Sequence, residues 1–380
     1  MSAPQRFDRP ETVMRYAIEL AARGLGRVEP NPAVGAVLAD EHLNLLGVGY
    51  HERFGGPHAE VNALSDFVDR FEDSGVRQEL LANATLYVTL EPCCHYGKTP
   101  PCSEAVIGAG VRRVSVGLRD PSPHVAGGGI QQLKKAGIDV SIGLAEEAIR
   151  ELNAPFLKLL RTGLPWVHVK WAMTLDGKIA TRTGASKWIS SEVSRQRVHL
   201  LRGRMDAIIV GAGTARSDDP LLTVRGLGPR TPTRVVIDSK ATLSLDSQLV
   251  RTVDDAPVLL AVCESAPAER VDQLRAVGVE VIVVGPADGR VDLMMLMQEL
   301  GRRSMTNLLI EGGGELFGAA FDDGLVDEAH IFVAPKFAGG AGGVTPVGGV
   351  GVALIPEGSQ LQGQVVEQVG DDVYIRGRLR

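Results

Sequence analysis

The sequence has its most informative stretch at residues 91–102, which read EPCCHYGKTPPC. Three of the four cysteines of the chain lie in this stretch, and the triplet His58-Ala59-Glu60 precedes it. Two thiolates and one imidazole can hold Zn²⁺ tetrahedrally and leave a fourth position for water. The metal lowers the pKa of that water towards neutrality, and a glutamate outside the ligand set can then move protons. The pattern therefore predicts a zinc site that activates water.

The predicted metal ligands are His58, Cys93 and Cys102. His58 and Glu60 are two residues apart, and on a helix this spacing points their side chains to different sides. At the start of a helix, one of them can bind the metal while the other reaches the bound water. Cys94 also carries a thiol and is the alternative to Cys93. We favour Cys93 because the residue directly after the proline should point into the site.

Strands and helices alternate around this stretch. Strands are predicted at residues 33–39, 45–50, 84–90, 111–118 and 138–142, and helices at 10–23, 58–67, 102–108 and 144–160. The strand at 84–90 leads directly into the Glu-Pro-Cys triplet, and Pro100-Pro101 suits the start of the next helix. This alternation predicts a layered α/β domain.

A chain of 380 residues exceeds the usual size of a single core, which favours two domains. Zinc-dependent nucleobase deaminases combine an H-x-E element with a later P-C and a second Cys, as residues 58–60 and 92–102 do here. We therefore predict a zinc-dependent deaminase domain at residues 1–150, a linker at 151–165 and a second domain at 166–380. Gly163-Leu164-Pro165 breaks the helical pattern, and strands resume at 166–173, 207–210, 234–238, 258–262, 279–284, 307–310 and 328–333. Residues 339–352 are rich in Gly and Val and are predicted to form a loop.

Composition excludes several classes of protein. The net charge is −6 and aromatic residues make up 4% of the chain, which argues against binding of nucleic acid. Apolar runs do not reach transmembrane length, and the start of the chain lacks a signal pattern. The clustered cysteines fit a reducing cytoplasm and metal binding, while Cys263 lies in an apolar run typical of a core. We therefore predict a cytoplasmic protein without a membrane or nucleic-acid partner.

The first half resembles the deaminase domain of the RibD family, the bifunctional deaminase-reductases of riboflavin biosynthesis. The matching motifs are Pro30-Asn31-Pro32, Gly49-Tyr50-His51, His58-Ala59-Glu60 and the long segment that ends at Cys102. The resemblance implies that Glu60 is the catalytic proton carrier. It also implies a substrate pocket formed by Asn31, His51, His95, Lys98 and Thr99. The chain departs from the family pattern at Cys94, where Ser is common, and at Ser122, where Asn is usual.

The second half contains glycine runs at predicted strand ends. Gly211-Ala212-Gly213-Thr214 lacks the third glycine of a Rossmann fingerprint, so that motif is not met. Glu311-Gly312-Gly313-Gly314 can let backbone amides approach a phosphate, and a plain turn is the alternative. Trp188 offers an aromatic face, and Arg202, Arg204 and Arg225 offer anion clamps.

The second half also resembles the RibD reductase domain, which has a dihydrofolate-reductase-like fold. The match includes the run from Lys170 to Ala180, the segment 186–189, both glycine runs and the segment 334–336. The resemblance implies NADPH contacts from Ala172, Trp188, Thr214, Asp218, Ser239, Gly313 and Gly314. It implies contacts to a ribose-phosphate substrate from Ser186, Arg202, Leu222, Arg225 and Glu311. The expected fold is thus a cytidine-deaminase-like three-layer α/β/α domain followed by a dihydrofolate-reductase-like α/β domain.

Two consecutive reactions follow from the resemblance. Zinc-dependent hydrolytic deamination of 2,5-diamino-6-(5-phosphoribosylamino)pyrimidin-4-one precedes NADPH reduction of the ribose chain to 5-amino-6-(5-phosphoribitylamino)uracil. Lys170 and Asp218 are the candidate proton donors for the reduction, and a homo-oligomer is expected. The alternatives are a deaminase joined to an inactive or differently specific reductase, and a deaminase of nucleic-acid bases.

Overall fold

The computed structural model describes residues 5–96, 100–121, 127–285 and 289–379. Contacts between residues divide the chain into two units, Met1–Thr162 and Gly163–Arg380. The division falls inside the segment 151–165 that was predicted as a linker, and most of that segment is helical. Each unit has its own sheet.

The first unit contains five strands in one sheet. The strands are β1 (Gly35–Ala39), β2 (Leu45–Tyr50), β3 (Thr85–Leu90), β4 (Arg113–Leu118) and β5 (Asp139–Ile142). The helices are α1 (Pro10–Ala22), α2 (Ala59–Arg70), α3 (Ser74–Asn83), α4 (Cys102–Ala109), α5 (Gly128–Lys135), α6 (Glu146–Leu152) and α7 (Ala154–Thr162). The strand order is β2-β1-β3-β4-β5, in which β1 is antiparallel to both neighbours and the other pairs are parallel. The predicted strands are confirmed, whereas α3 and α5 were not predicted.

Helices cover both faces of this sheet. On one face, Phe67 of α2 and Leu133 of α5 are buried in one apolar cluster with the strands. On the other face, Met14 of α1, Ile149 of α6 and Leu157 of α7 are buried in a second cluster. The first unit is therefore a three-layer α/β/α domain, as predicted.

A buried asparagine joins the end of the first unit to its beginning. Asn153, between α6 and α7, accepts a hydrogen bond from the amide of Ala33 at 2.8 Å and donates one to its carbonyl at 3.0 Å. Its side chain therefore has a backbone partner for both polar atoms, as a buried amide requires. The two helices that flank Asn153 thus belong to the packing of the first unit.

Glycine in β2 allows α2 to lie directly on the sheet. A Cβ atom at Gly49 would lie 2.3 Å from the amide nitrogen of Ala63 and 2.4 Å from the carbonyl oxygen of Ala59, both in α2. We expect Gly49→Ala to destabilise the first unit by about 1–3 kcal/mol, since the helix must move away. Hydrogen exchange of α2 amides measures this change. The matched control is Gly108→Ala in α4, where a Cβ meets nothing within 4 Å. Equal destabilisation by both substitutions would contradict the argument.

The second unit contains a nine-stranded sheet. The strands are β6 (Trp166–Thr174), β7 (Ala207–Gly211), β8 (Thr233–Ile237), β9 (Val258–Val262), β10 (Glu280–Val283), β11 (Asn307–Gly312), β12 (Glu328–Ala334), β13 (Leu361–Val369) and β14 (Asp372–Leu379). The helices are α8 (Glu192–Arg202), α9 (Ala212–Asp218), α10 (Gln248–Arg251), α11 (Ala268–Ala276), α12 (Leu293–Arg302) and α13 (Gly314–Asp322). The strand order is β10-β9-β8-β7-β11-β6-β12-β14-β13. The seven predicted strands are confirmed, whereas β13 and β14 were not predicted.

The strands from β10 to β12 are all parallel, and the β13–β14 hairpin adds an antiparallel edge. Val167 and Val169 of β6 are buried in one core with α12 and α13. Because side chains alternate along a strand, His168 and Lys170 face the opposite side of the sheet. The carboxyl ends of β6, β7 and β11 meet at one edge, which is where parallel α/β sheets bind their ligands.

Candidate active sites

Three elements of the first unit bring the predicted metal ligands together. His58 immediately precedes α2, Cys93 follows the end of β3, and Cys102 opens α4. His58 Nδ1 lies 3.2 Å from Cys102 Sγ and 3.6 Å from Cys93 Sγ. All three donor atoms lie within 4.8 Å of one another.

This donor set fits zinc. Bonds of about 2.3 Å to sulfur and about 2.0 Å to nitrogen separate tetrahedral donors by roughly 3.5 Å. The two nitrogen–sulfur distances bracket that separation. The amide of Cys102 also points at Cys93 Sγ at 3.3 Å, which favours the thiolate that a metal requires. Hydrogen bonds from Cys102 and His58 lower the pKa of Cys93 to about 4.

Cys94 is directed away from this cluster. A Cβ atom added to Gly128 would lie 2.7 Å from Cys94 Sγ, so the thiol packs against the start of α5. Among the described residues that can bind a metal, Cys93 and not Cys94 is grouped with His58 and Cys102. The geometry therefore favours Cys93 over the alternative.

Glu60 lies in the first turn of α2 and is buried. Burial raises the pKa of its carboxyl group from 4.5 to about 7, while its own backbone and His58 act in the opposite direction. The Cys102 thiol also contacts this carboxyl group. A carboxyl with a pKa near neutrality can both accept and return a proton, which suits a general acid and base.

Two of the predicted substrate-binding residues are paired. His51 Nδ1 contacts the carbonyl of Pro57 at 3.0 Å, and His51 Nε2 contacts Asn31 Nδ2 at 3.2 Å. The ring therefore donates from Nδ1 and accepts from the amide of Asn31. Burial lowers the pKa of His51, which keeps the ring neutral. His95 is exposed; Lys98, Thr99 and Ser122 lie outside the described residues.

Glu91 is a structural carboxylate whose role was not predicted. It is 3% exposed and accepts hydrogen bonds from the amides of Asp120, Gly127 and Ile130 at 3.1–3.3 Å. These bonds tie the end of β3 to the start of α5 and thereby position the segment that carries Cys93. In the sequence, the only indication of this role is that a glutamate stands at the end of an apolar strand.

In the second unit, the structure brings the two glycine runs together. A Cβ atom at Gly312 would lie 2.8 Å from Cγ2 of Thr214, so the first turn of α9 packs on the end of β11. Gly313 has a φ of 102° and also lies beside Thr214, and Gly314 begins α13. Cβ atoms at Gly211 and Gly213 would meet nothing within 4 Å, so there is open space beside the start of α9.

A buried ion pair lies beside these glycines. Arg202 binds Glu311 through two hydrogen bonds, Nε to Oε1 at 2.5 Å and Nη2 to Oε2 at 2.8 Å. Their side chains are 14% and 6% exposed. Burial lowers the pKa of Lys170, and the charge of Glu311 opposes that shift. The Glu311 carboxylate is thus paired with Arg202 and also interacts electrostatically with the partly buried Lys170.

The loop after α9 joins this ion pair. The carbonyl of Thr223 accepts hydrogen bonds from Arg202 Nη1 and His199 Nδ1, both at 3.1 Å. Leu222 and Arg225 have φ angles of 52° and 49°, a conformation that side chains other than glycine rarely adopt. Such strain at residues predicted to bind substrate is typical of functional loops. Leu222 is buried, and Arg225 is exposed.

The remaining predicted cofactor residues occupy several segments. Asp218 lies near the segment that carries Trp188, because Lys187, the residue before Trp188, has its Nζ 3.5 Å from the carbonyl of Asp218. Trp188 is 62% exposed, and the guanidinium of Arg195 lies 4.5 Å from its ring centroid. Three further residues are partly buried: Ala172 lies in β6, Ser239 follows β8, and Ser186 lies in the segment between β6 and α8.

Family models match both halves of the chain. The cytidine and deoxycytidylate deaminase zinc-binding region matches residues 8–118, and the RibD C-terminal domain matches residues 165–375. The first unit therefore contains a zinc-binding deaminase domain, and the second contains a reductase domain. Among the described residues, every helix is too short or too polar to cross a membrane.

Curated proteins and solved structures resemble the chain over nearly its full length. The riboflavin biosynthesis protein RibD of Actinobacillus pleuropneumoniae is 42% identical, over 95% of this chain and 93% of that protein. The Escherichia coli protein of the same name is 37% identical, over 96% and 98%. Acinetobacter baumannii RibD superposes with a TM-score of 0.83 at 35% identity, over 97% and 98%. A Thermotoga maritima diaminohydroxyphosphoribosylaminopyrimidine deaminase/5-amino-6-(5-phosphoribosylamino)uracil reductase gives 0.82 at 35%, with the same coverage.

Proposed function

The chain belongs to the RibD family of bifunctional deaminase-reductases in riboflavin biosynthesis, and from this premise we propose the roles of its residues. The first unit deaminates 2,5-diamino-6-(5-phosphoribosylamino)pyrimidin-4-one. The second unit reduces the ribose chain of the product to give 5-amino-6-(5-phosphoribitylamino)uracil. The observation that carries this assignment is the convergence of His58, Cys93 and Cys102 beside the buried carboxyl of Glu60.

In the deaminase unit, His58, Cys93 and Cys102 hold zinc, which when bound makes water a stronger acid at neutral pH. The carboxylate of Glu60 takes a proton from the attacking water and delivers it to the amino group that leaves as ammonia. Asn31 and the neutral ring of His51 bind the pyrimidine, and their mutual hydrogen bond orients both. His95, Lys98 and Thr99 complete the substrate pocket.

In the reductase unit, a nicotinamide cofactor would bind at Thr214 in α9 and at Gly313 and Gly314 at the start of α13. We take this cofactor to be NADPH, which supplies the reducing equivalent when bound. Ala172, Trp188, Asp218 and Ser239 complete its site.

Arg202 and Glu311 bind the ribose phosphate together with Ser186, Leu222 and Arg225. The bidentate geometry of the ion pair fixes the guanidinium plane, which orients a bound substrate. Lys170 of β6 is partly buried and interacts electrostatically with the same carboxylate, so it is our candidate for the group that protonates the opened ribose.

We also propose that the protein is cytoplasmic and forms a homo-oligomer. Free thiols at Cys93, Cys94, Cys102 and Cys263 support a reducing compartment. The family resemblance supports self-association, and sedimentation of the full chain tests it.

The contribution of Glu60 to the stability of the zinc-free first unit should fall as pH rises. Between pH 4.5 and about 7 the folded state holds a proton on Glu60 that the unfolded state has lost. This contribution is therefore greatest below the unfolded pKa and declines through the folded pKa, by about 3 kcal/mol in total. The Cys93 thiol, whose pKa is lowered in the folded state, acts in the opposite direction. Urea unfolding of chelator-treated protein at several pH values is therefore compared with that of Glu60→Gln. The stability difference between the two proteins should change with pH by this amount, and a constant difference would contradict the assignment.

Product analysis by mass spectrometry tests the proposed reactions. We expect the zinc-loaded protein to give deaminated product without NADPH and ribityl product with it. Cys102→Ser should lose zinc and the first reaction, yet still reduce deaminated substrate that is supplied directly. Deaminated product both with and without NADPH would indicate an inactive or differently specific reductase. An unchanged substrate under both conditions would refute the proposed substrate.

A further inference from the structure

A second group of metal-binding side chains lies in the other unit. His168 is on β6, and Glu328 and His330 are on the neighbouring strand β12. Glu328 lies opposite His168 in the parallel register, and His330 follows two residues later. All three side chains therefore point to the same face of the sheet. The histidines are 7% and 3% exposed, and the Glu328 side chain is 12% exposed.

The candidate ligand atoms of this group lie within 4.8 Å of one another. His168 Nδ1 lies 3.1 Å from His330 Nε2, and the carboxylate oxygens of Glu328 lie 3.6 Å and 4.0 Å from these nitrogens. Donors on one tetrahedral ion with bonds of about 2.0–2.1 Å are separated by about 3.3 Å. The nitrogen–nitrogen distance lies close to that value. The two nitrogen–oxygen distances are longer than a hydrogen bond, so a small movement of the Glu328 side chain would bring its carboxylate onto the ion.

The opposite nitrogen of each ring already has a partner. His168 Nε2 lies 3.3 Å from Oδ1 of Asn307, and His330 Nδ1 lies 2.7 Å from the hydroxyl of Tyr374. Metal-binding histidines typically use their second nitrogen in this way, because the outer contact fixes the tautomer and the ring plane. These contacts leave His168 Nδ1 and His330 Nε2 facing each other and Glu328.

Charges of both signs surround the group: Glu328 and Asp327 are negative, and Arg376 and Arg197 are positive. Burial lowers the pKa of both histidines, so the rings are neutral, as metal ligands must be. The Glu328 carboxylate supplies negative charge, and Arg376 approaches it at 3.8 Å from β14. The Arg376 side chain is 48% exposed, so water weakens its hold on the carboxylate.

We propose that His168, Glu328 and His330 form a second site for a divalent transition metal of the zinc class, which joins β6 to β12. Two imidazoles and one carboxylate are a ligand set that zinc accepts, and the absence of a thiolate distinguishes this set from the cluster in the first unit. Lys170 lies two residues further along β6 on the same face, about 7 Å away along the strand. A metal ion at this site would fix the position of β6, the strand that carries Lys170, so the role of the metal would be structural.

Metal content of the full chain tests this proposal. We expect two zinc ions per chain by mass spectrometry after chelation, reloading with zinc and dialysis. Cys93→Ser combined with Cys102→Ser should leave one ion, and this variant does not alter the proposed site. His330→Gln should also leave one ion, because a carboxamide is a poor zinc ligand in place of an imidazole. His42→Gln removes an exposed histidine and should keep both ions.

Cobalt distinguishes the two sites. Cobalt in the cysteine site gives intense thiolate charge-transfer absorption, whereas a site of two histidines and one carboxylate gives only weak ligand-field bands. The cysteine double variant should show only the weak bands, and His330→Gln should keep the intense ones. Loss of all metal from the cysteine double variant would overturn the proposal, whatever the folding of His330→Gln. The group would then be a hydrogen-bonded chain from Tyr374 through both histidines to Asn307.

Discussion

We expect Glu60→Gln to lower the deaminase kcat by about 10²–10⁴-fold, the usual contribution of a positioned acid and base. The amide has nearly the same shape but cannot accept a proton from water or return it to the leaving amine. Since the reductase is in the other unit, its kcat should not change, and it serves as an internal control for folding.

Steady-state deamination, reduction and zinc content would be measured on the same preparations. Glu79→Gln changes an exposed glutamate in α3 and should leave all three unchanged. A deaminase rate within threefold of the unaltered protein would remove Glu60 from the mechanism. Loss of zinc from Glu60→Gln would instead mean that the carboxylate supports the ligands.

The second large effect is expected from Glu311→Leu. Removing this carboxylate leaves the buried Arg202 guanidinium without its ion-pair partner and Lys170 without the neighbouring negative charge. Breaking a buried ion pair in this way destabilises a protein by about 3–5 kcal/mol. Reductase activity should fall by about 10²-fold or more, since the guanidinium loses its fixed orientation.

Stability and activity can be separated with a double variant. Arg202→Met combined with Glu311→Leu removes both members of the ion pair and leaves Lys170 as the one charged group of the three. The double variant should therefore regain part of the lost stability while the reductase stays impaired. All three tryptophans lie in the second unit, so fluorescence follows its unfolding in urea. Glu315→Gln, at an exposed position in α13, is the matched control. A fully active Glu311→Leu protein would show that this carboxylate does not bind substrate.

The sequence predicted the strands of both sheets up to β12 because apolar runs of four to nine residues mark them, and most of these strands are buried and parallel. The β13–β14 hairpin was missed because its strands are partly exposed, and Gly363 and Gly377 interrupt them. Helix α3 was missed because its only buried residue is Leu81, so it has no apolar stripe that a pattern could reveal.

Local spacing also identified the metal cluster better than it identified the reductase pocket. Cys93 and Cys102 lie close together in the chain, so their spacing alone predicts that both thiols can reach one metal ion. Arg202 and Glu311 are 109 residues apart, and only the order of strands in the sheet brings them together. The same holds for His168 and His330, which are separated by 162 residues and meet because β6 and β12 are neighbours.

The hydrogen bonds between Asn153 and Ala33 limit where the first unit can be cut for separate expression. A recombinant fragment that stops at residue 150, where the composition changes, would lose Asn153 and the buried Leu157. The backbone at Ala33 would then have unpaired polar groups only two residues from Asn31. A fragment that extends to Thr162 keeps the hydrogen bonds between Asn153 and Ala33 and is the piece suited to separate expression.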